Sequence, residues 1–440
     1  MSGCKYSGEN ADLSGDYKVG EALDRSNDKN SQEQCWEERA TPDGRVYFVN
    51  HNTKGCQWTH PRTGKKKVVA GEIPFGWKKQ VNEDGKILYV DDINNRSTYA
   101  DPRLAFALEE KESPDDFRQK FDGSSTAMQV LHGRDLTGKV AIVTGANCGI
   151  GFETARSLAL HGCTTIFACR SADKAQEAIG KIKAEGKTSG PMEFMELDLA
   201  SLKSVKNFAT LFQINYKSLD MLILNAAVMG LPFSLTPDGF ETHFQVNHLS
   251  HFYLTLLLKQ ILQTTLYCRV VFVSSESHRF SFLDINNINE ERLSPLTASR
   301  FQGSMQAYND SKLCNLIISV ELARRWSSLG IAVNALHPGN MVSSALSRNW
   351  WLYRFLFMLV RPFSKSLQQA ASTSLYVAAH SDTAGVGGLY FNNCCRCPSS
   401  AACDDVELAL TLWDLSIAMI EKVMGQGSTA EFTQDKETES

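Results

Sequence analysis

From Lys139 to about residue 424, short apolar runs alternate with helical patterns, and this alternation confines that part of the chain to a parallel sheet with helices packed on its faces. The first run, KVAIVTG, passes straight into the glycine turn TGANCGIG (144–151) and then into the amphipathic FETARSLALHG. The glycine spacing differs from the usual G-x-G-x-x-G, but the strand, loop and helix follow in the required order. Gly145 permits the tight turn, Gly149 lets backbone approach a pyrophosphate, and Gly151 allows the helix to pack close to the sheet. Thr144, Gly145, Ala146, Asn147, Cys148, Gly149, Ile150 and Gly151 are therefore candidate dinucleotide contacts, with the phosphates at the helix amino terminus.

The ends of the following strands refine this expectation. A carboxylate about 20 residues after the glycines selects a free ribose 2′-hydroxyl, whereas an arginine suits a 2′-phosphate. The second run, TTIFACR, ends in Arg170 and Ser171 with no acid before Asp173, so NADP is expected in preference to NAD. Asp198, in the LDL that closes the third strand, is placed to bond adenine. Asn225, Ala226 and Ala227 close the fourth strand with side chains small enough for backbone to lie against the adenine ribose.

The fifth strand, RVVFVSS, ends in Ser274 and Ser275, and Tyr308 follows thirty-three residues after Ser275 with Lys312 one helical turn beyond it. A Tyr-x-x-x-Lys match alone is expected on the order of once by chance in such a chain. At the carboxyl end of a parallel sheet it acquires chemistry. A phenol beside a carbonyl can supply its proton, and a nearby ammonium would bring the phenol toward working pH. Ser275 would bind and polarise the substrate oxygen, and Lys312 would also hold nicotinamide ribose hydroxyls. Asn247, in QVNHLSHF, either fixes a water that relays protons to Lys312 or merely marks a kink in its helix.

Ahead of this domain lie two units with a repeat of about 40 residues, opening at Trp36 and Trp77. Each has a D-G turn (Asp43-Gly44, Asp84-Gly85) between alternating runs, the signature of a hairpin, so each is expected as a three-stranded sheet. The boundaries read as a disordered segment 1–32, a first unit 33–63, a basic linker 64–72, a second unit 73–104, an acidic linker 105–134, the α/β domain 135–424 and a polar tail 425–440. A net charge of −4 argues against direct nucleic-acid binding, because counterion release needs a basic surface. The local run Lys65–Lys67 reads equally as a solvated linker or a nuclear address. No apolar leader opens the chain, so the 12 cysteines are expected as reduced thiols. The irregular spacing of Cys394, Cys395, Cys397 and Cys403 fits structural thiols better than a metal site, and none is expected. The run WWLYRFLFMLVRPF (350–363), interrupted by Arg354, is too short to span a membrane and reads as a greasy lid or interfacial segment.

Thr144, Gly145, Gly149, Gly151, Asn225, Asn247, Ser275, Tyr308 and Lys312 together resemble the short-chain dehydrogenase/reductase family in order and spacing. SSESHRF, NHLSHFYL, YNDSKLCN and HPGNM resemble its retinol-dehydrogenase-like branch, and the two amino-terminal units resemble WW domains. Cys148, often Ser, and Ala227, often Gly, depart from the family pattern without removing a catalytic group. The resemblance implies a Rossmann-type doubly wound sheet and NADP-dependent oxidation or reduction of a lipophilic, retinoid- or steroid-like alcohol or ketone. Residues 342–363 and SPLTASRFQGSMQ before Tyr308 are expected to frame the substrate mouth. In the first WW unit it implies a core of Trp36, Phe48 and Pro61, and a groove in which Tyr47 and Trp58 clasp proline while Val49 and His51 receive the tyrosine of a Pro-Pro-x-Tyr protein. That unit lacks the usual Leu-Pro-x-Gly lead-in, carrying SQEQC instead. The second keeps IPFGW but has Leu88, Tyr99 and Asp92 in its groove, and reads as a supporting module. The resemblance further implies roles in apoptosis, Wnt signalling and transcriptional control, in cytoplasm and nucleus, with the mitochondrion also allowed. The competing reading is a signalling adaptor whose reductase domain only binds cofactor or ligand.

Overall fold

The computed structural model describes residues 36–69, 73–82, 84–92, 95–110, 119–186, 190–297, 304–339 and 365–433, and the chain divides into two compact units, 1–114 and 115–440. The expected disordered segment lies outside the described residues, as do the apolar run 350–363 and the middle of the stretch before Tyr308.

Within the first unit, β1 (Trp36–Ala40), β2 (Val46–Asn50) and β3 (Cys56–Gln57) form one antiparallel sheet. The expected linker 64–72 instead contributes β4 (Lys67–Val68). A second antiparallel sheet joins β5 (Trp77–Val81), β6 (Ile87–Asp91) and β7 (Arg96–Thr98). Beyond it, in the other expected linker, β8 (Leu108–Glu109) pairs with β4, Lys67 opposite Glu109 and Val68 opposite Leu108. A three-stranded sheet this small buries little apolar surface by itself. Val46 and Phe48 are buried together with Val69, and Trp36, Leu104 and Ala107 pack against them, so residues on both sides of the second sheet complete the core of the first. Pro61, expected in that core, is exposed. Gly44 serves this closure: its φ is +87°, and a Cβ there would lie 2.7 Å from the Val69 carbonyl oxygen. Arg103 adds a polar tie, bonding Asp101 at 2.7 Å and the Thr41 carbonyl at 3.2 Å.

The second unit is built on an eight-stranded sheet. Its strands are β9 (Val140–Thr144), β10 (Thr164–Cys169), β11 (Met192–Glu196), β12 (Met221–Leu224), β13 (Arg269–Val273), β14 (Ala332–His337), β15 (Tyr390–Asn392) and β16 (Cys395–Cys397). Their spatial order is β11-β10-β9-β12-β13-β14-β15-β16, all pairs parallel except the last. Val270 and Phe272 point into one apolar core and Val271 and Val273 into another, which is why such strands read as unbroken apolar runs. One face is covered by α2 (Gly149–Leu160), α3 (Ala172–Lys183) and α7 (Leu367–Ala379). The other is covered by α4 (Leu202–Asn215), α5 (Ser250–Leu257), α6 (Ser304–Trp326) and α8 (Val406–Met424). The order reverses between β9 and β12, which opens a crevice at their carboxyl ends.

Both edges of this unit extend beyond the expected limits. Helix α1 (Ala127–Val130), in the expected acidic linker, carries a capping box of Thr126 and Gln129 and buries Ala127, Val130 and Leu131. In the expected polar tail, Phe432 is buried and the Thr429 hydroxyl donates to Glu421 at 2.5 Å. Isolated apolar residues in polar stretches carry no periodicity, so only the surface that covers them distinguishes them from linker.

Candidate functional site

The glycine loop fits a dinucleotide. Gly145 and Gly149 have φ of +68° and +63°, and a Cβ on Gly145 would sit 3.1 Å from Ala226. A Cβ on Gly151 would fall 2.4 Å from the Asn225 side-chain nitrogen and 2.5 Å from the Gly145 carbonyl oxygen. Gly151 is thus required by the loop's own closure as much as by the sheet. Cys148 occupies the N-cap of α2 without a side-chain cap bond, so the first-turn N–H groups are left for an anion. Ala146 is buried, Ile150 packs on the core beneath, and Asn147 and Cys148 line a cavity of about 320 Å³ with Lys174 and Lys181.

Two of the expected contacts, Thr144 and Asn225, also brace the strands. The Thr144 hydroxyl accepts from the backbone N–H of Asn225 and of Ala226, both at 2.9 Å, and meets His251 Nε2 at 3.0 Å. Asn225 donates from its side chain to the Thr144 carbonyl at 3.0 Å. Together they lock the ends of β9 and β12 and so shape the crevice floor. Asp198 accepts from the Ala200 N–H at 3.0 Å and stays half-buried, while Arg170 is exposed at the end of β10 and Ser171 caps α3.

Tyr308, Ser275 and Lys312 converge at the carboxyl end of β13. The Tyr308 hydroxyl is hydrogen-bonded to Ser275. The Lys312 ammonium donates to the Val273 carbonyl at 2.9 Å and stands 5.6 Å from the centre of the Tyr308 ring. The phenol was expected to be lowered by the ammonium, but it is raised, and the cause is burial. Tyr308 is 5% exposed, and burial pushes its phenol up to about 12 against the opposing bond from Ser275. Lys312, 2% exposed, is pulled down by burial to about 7. Desolvation is the larger cause for the phenol and the whole cause for the ammonium.

Asn247 lies in a π-helical turn, Gln245–Leu249, which supports the kink reading. Its side chain accepts from the Val228 N–H at 2.8 Å and donates to the Val228 carbonyl at 3.0 Å, while its own carbonyl accepts from Asn315 at 2.9 Å. The sequence reading missed the residues that fix this geometry. Ser274 donates to the Lys312 carbonyl at 2.8 Å; Ser311 donates to the Tyr308 carbonyl at 2.7 Å and accepts from Asn247 at 3.0 Å. Their positions beside Ser275 and one turn after Tyr308 were the available signal.

The residues expected to line the groove of the first unit lie on β2 and the segments that follow β2 and β3. Tyr47 and Trp58 meet edge to face at 5.8 Å between centroids, with Val49 half-buried and His51 exposed on the same strand's course. The register also brings Glu37 opposite Val49 and Arg39 opposite Tyr47, two contributors the sequence reading omitted. Glu37 binds Arg39 at 3.0 Å and His51 Nε2 at 2.8 Å, and the Arg39 guanidinium beside it holds its carboxyl below the usual range. In the second unit Tyr99 is 62% exposed and Asp92 is paired with Lys78 at 2.5 Å. Lys67, from the basic run, is paired with Glu38 at 2.5 Å.

Cys394 and Cys403 are buried, Cys395 and Cys397 are partly so, and burial raises all four thiols. Among the described residues no group of three or more His, Cys, Asp or Glu side chains could hold a metal ion, and no helix is long and apolar enough to cross a membrane.

A short chain dehydrogenase model matches residues 139–284, and a WW domain model matches residues 36–61. The chain is 51% identical over 394 residues to the WW domain-containing oxidoreductase of Drosophila melanogaster, covering 89% of this chain and 95% of that protein. It is 50% identical over 410 residues to that of Homo sapiens, covering 92% and 98%. Retinol dehydrogenase 12 of Mus musculus is 41% identical over 285 residues, 65% of this chain and 87% of that one. Among solved structures, an uncharacterized protein from Mycobacterium Paratuberculosis superposes with a TM-score of 0.51 at 31% identity, over 65% of this chain and 95% of that one.

Proposed function

The chain belongs to the WW domain-containing oxidoreductase family, and on that premise we propose that it is an NADP-dependent reductase of a lipophilic ketone or dehydrogenase of the matching alcohol, tethered to Pro-Pro-x-Tyr proteins by its first WW domain. The observation that carries the enzymatic half is the juxtaposition of Tyr308, Ser275 and Lys312 at the carboxyl end of β13. A pure scaffold has no physical need of that set.

The residues that would hold the nucleotide are the glycine loop with the first turn of α2, Arg170 for a 2′-phosphate, Asp198 for adenine and Lys312 for the nicotinamide ribose. When bound, the nicotinamide supplies or accepts the hydride. Ser275 holds the substrate oxygen, and the Tyr308 phenol, which burial keeps in its protonated form, gives its proton to that oxygen. Lys312, whose ammonium burial makes more acidic than usual, is suited to pass a proton back toward Tyr308. The retinoid- or steroid-like substrate class rests on the likeness to retinol dehydrogenase 12. The paired Tyr47 and Trp58 rings support proline binding, and His51 beside Glu37 supports a hydroxyl-bearing tyrosine at the other end. Signalling through such partners, in cytoplasm and nucleus, completes the reading.

NADPH oxidation by the purified full chain across retinoid and steroid carbonyls tests the enzymatic half, with Tyr308→Phe as the control. Turnover by the wild type alone is expected. If neither protein consumes NADPH while a Pro-Pro-x-Tyr peptide still binds, the adaptor reading replaces it.

A further inference from the structure

The peptide group joining Ser275 to Glu276 is gripped on both sides by histidines that have no part in the chemistry above. Its carbonyl oxygen is 2.7 Å from Nδ1 of His278, and its N–H donates to Nδ1 of His337 at 3.2 Å. His278 is fully buried in the 3-10 turn Glu276–Phe280, and His337, 5% exposed, is the last residue of β14, the strand beside β13. A carbonyl oxygen can only accept, so Nδ1 of His278 carries the proton. A backbone N–H can only donate, so Nδ1 of His337 is bare. The two rings therefore hold opposite tautomers. Nε2 of His278 has no hydrogen-bond partner among the described residues, as suits a nitrogen without a proton, and its ring meets Tyr390 edge-on at 5.3 Å.

This peptide fixes where Ser275 points. Ser275 is the N-cap of the turn, extended at φ −152° and ψ 149°, and its hydroxyl accepts from the Ser277 N–H at 3.3 Å while also meeting Tyr308. Rotating the Ser275–Glu276 peptide changes ψ of Ser275 and swings the turn, carrying off the Ser277 N–H that the Ser275 hydroxyl accepts and so freeing the side chain to leave Tyr308. We propose that His278 and His337 are paired positioning residues that clamp the Ser275–Glu276 peptide and thereby aim the Ser275 hydroxyl at Tyr308 and the substrate oxygen. The proposal rests on the catalytic reading of Ser275.

The test uses the full chain with NADPH and the best carbonyl of the panel. His278→Ala and His337→Ala are expected to lower kcat by roughly 10- to 100-fold, the loss typical of small misplacement, with KM for NADPH within about twofold. Asn places an amide near the former Nδ1 and can donate or accept, so His278→Asn and His337→Asn should recover most of the rate. Leu fills the ring's volume without a hydrogen bond and should not. Full kcat in the Ala variants, or rescue by Leu equal to that by Asn, overturns the clamp. Should the Ala variants fail to fold, ¹⁵N spectra of histidine-labelled wild type decide: Nδ1–H for His278 and Nε2–H for His337 are expected, and the same tautomer in both overturns it. A wild type that reduces no carbonyl defeats the catalytic reading instead, while the tautomers still report on the clamp.

Discussion

Tyr308 and Lys312 are 5% and 2% exposed, whereas in the groove of the first unit Tyr47, Val49 and Trp58 are half-buried and His51 is exposed. The catalytic candidates are held by a web of buried hydrogen bonds through Ser274, Ser311, Asn247 and Asn315. The groove's polar residues pair with one another at the surface, as Glu37 does with Arg39 and His51. Proton transfer requires groups whose ionisation is set by the protein, and here desolvation is the largest cause of the shift. Peptide recognition requires aromatic area open to a partner, and exposed ion pairs beside it add little energy.

The strongest challenge to this contrast is Tyr308→Phe, which removes one buried hydroxyl and is expected to cut carbonyl reduction by about 10²- to 10⁴-fold while leaving NADPH affinity unchanged, measured by stopped-flow turnover and cofactor titration. A loss confined to KM would mean that the phenol binds rather than reacts. The burial of Lys312 gives a second, pH-dependent signature. Its folded pKa of about 7 lies below its ordinary value of 10.5, so the unfolded chain binds the extra proton between those values. Stability from this group is absent below about pH 7 and returns as pH rises toward 10.5. The melting temperature of the nucleotide-free protein should therefore climb from pH 7 to pH 9.5, and Lys312→Met should flatten that climb.

In the groove the same logic predicts a different profile. Trp58→Ala should weaken a Pro-Pro-x-Tyr peptide by roughly tenfold or more, as loss of an aromatic anchor does, with little change in thermal stability; titration calorimetry separates the two. Val69→Ala is expected to cost the first unit about 1–2 kcal/mol, seen in denaturation of the full chain as an earlier transition, without touching carbonyl reduction. An unchanged transition would show that the residues following the first sheet are not part of its core.

The sheet, the glycine loop, the Tyr308–Lys312 pair and the two hairpins were legible because each depends on local order: period-two or unbroken apolar runs, turn residues at fixed offsets, and one helical turn between two side chains. What was misread depended on distant partners. Val69, Leu131 and Phe432 sit in stretches whose composition is that of linker or tail, and only the surfaces they meet bury them. The bracing of Thr144 and Asn225 across each other's strand, additional to their place in the cofactor motif, likewise depended on a distant partner. Glu37 and Arg39 joined the groove through strand register, which one-dimensional spacing does not display.

The sequence by itself determined which residues could bind a dinucleotide, deliver a proton or clasp a proline, because these are properties of side-chain type and of short-range geometry. Tertiary structure alone decided their ionisation and their bearing. Burial raised Tyr308 and depressed Lys312 against the electrostatic expectation, and the Ser275–Glu276 peptide met His278 and His337 only after β13 and β14 lay side by side. Desolvation and long-range hydrogen bonding depend on what surrounds a group in space, and that environment is created by folding.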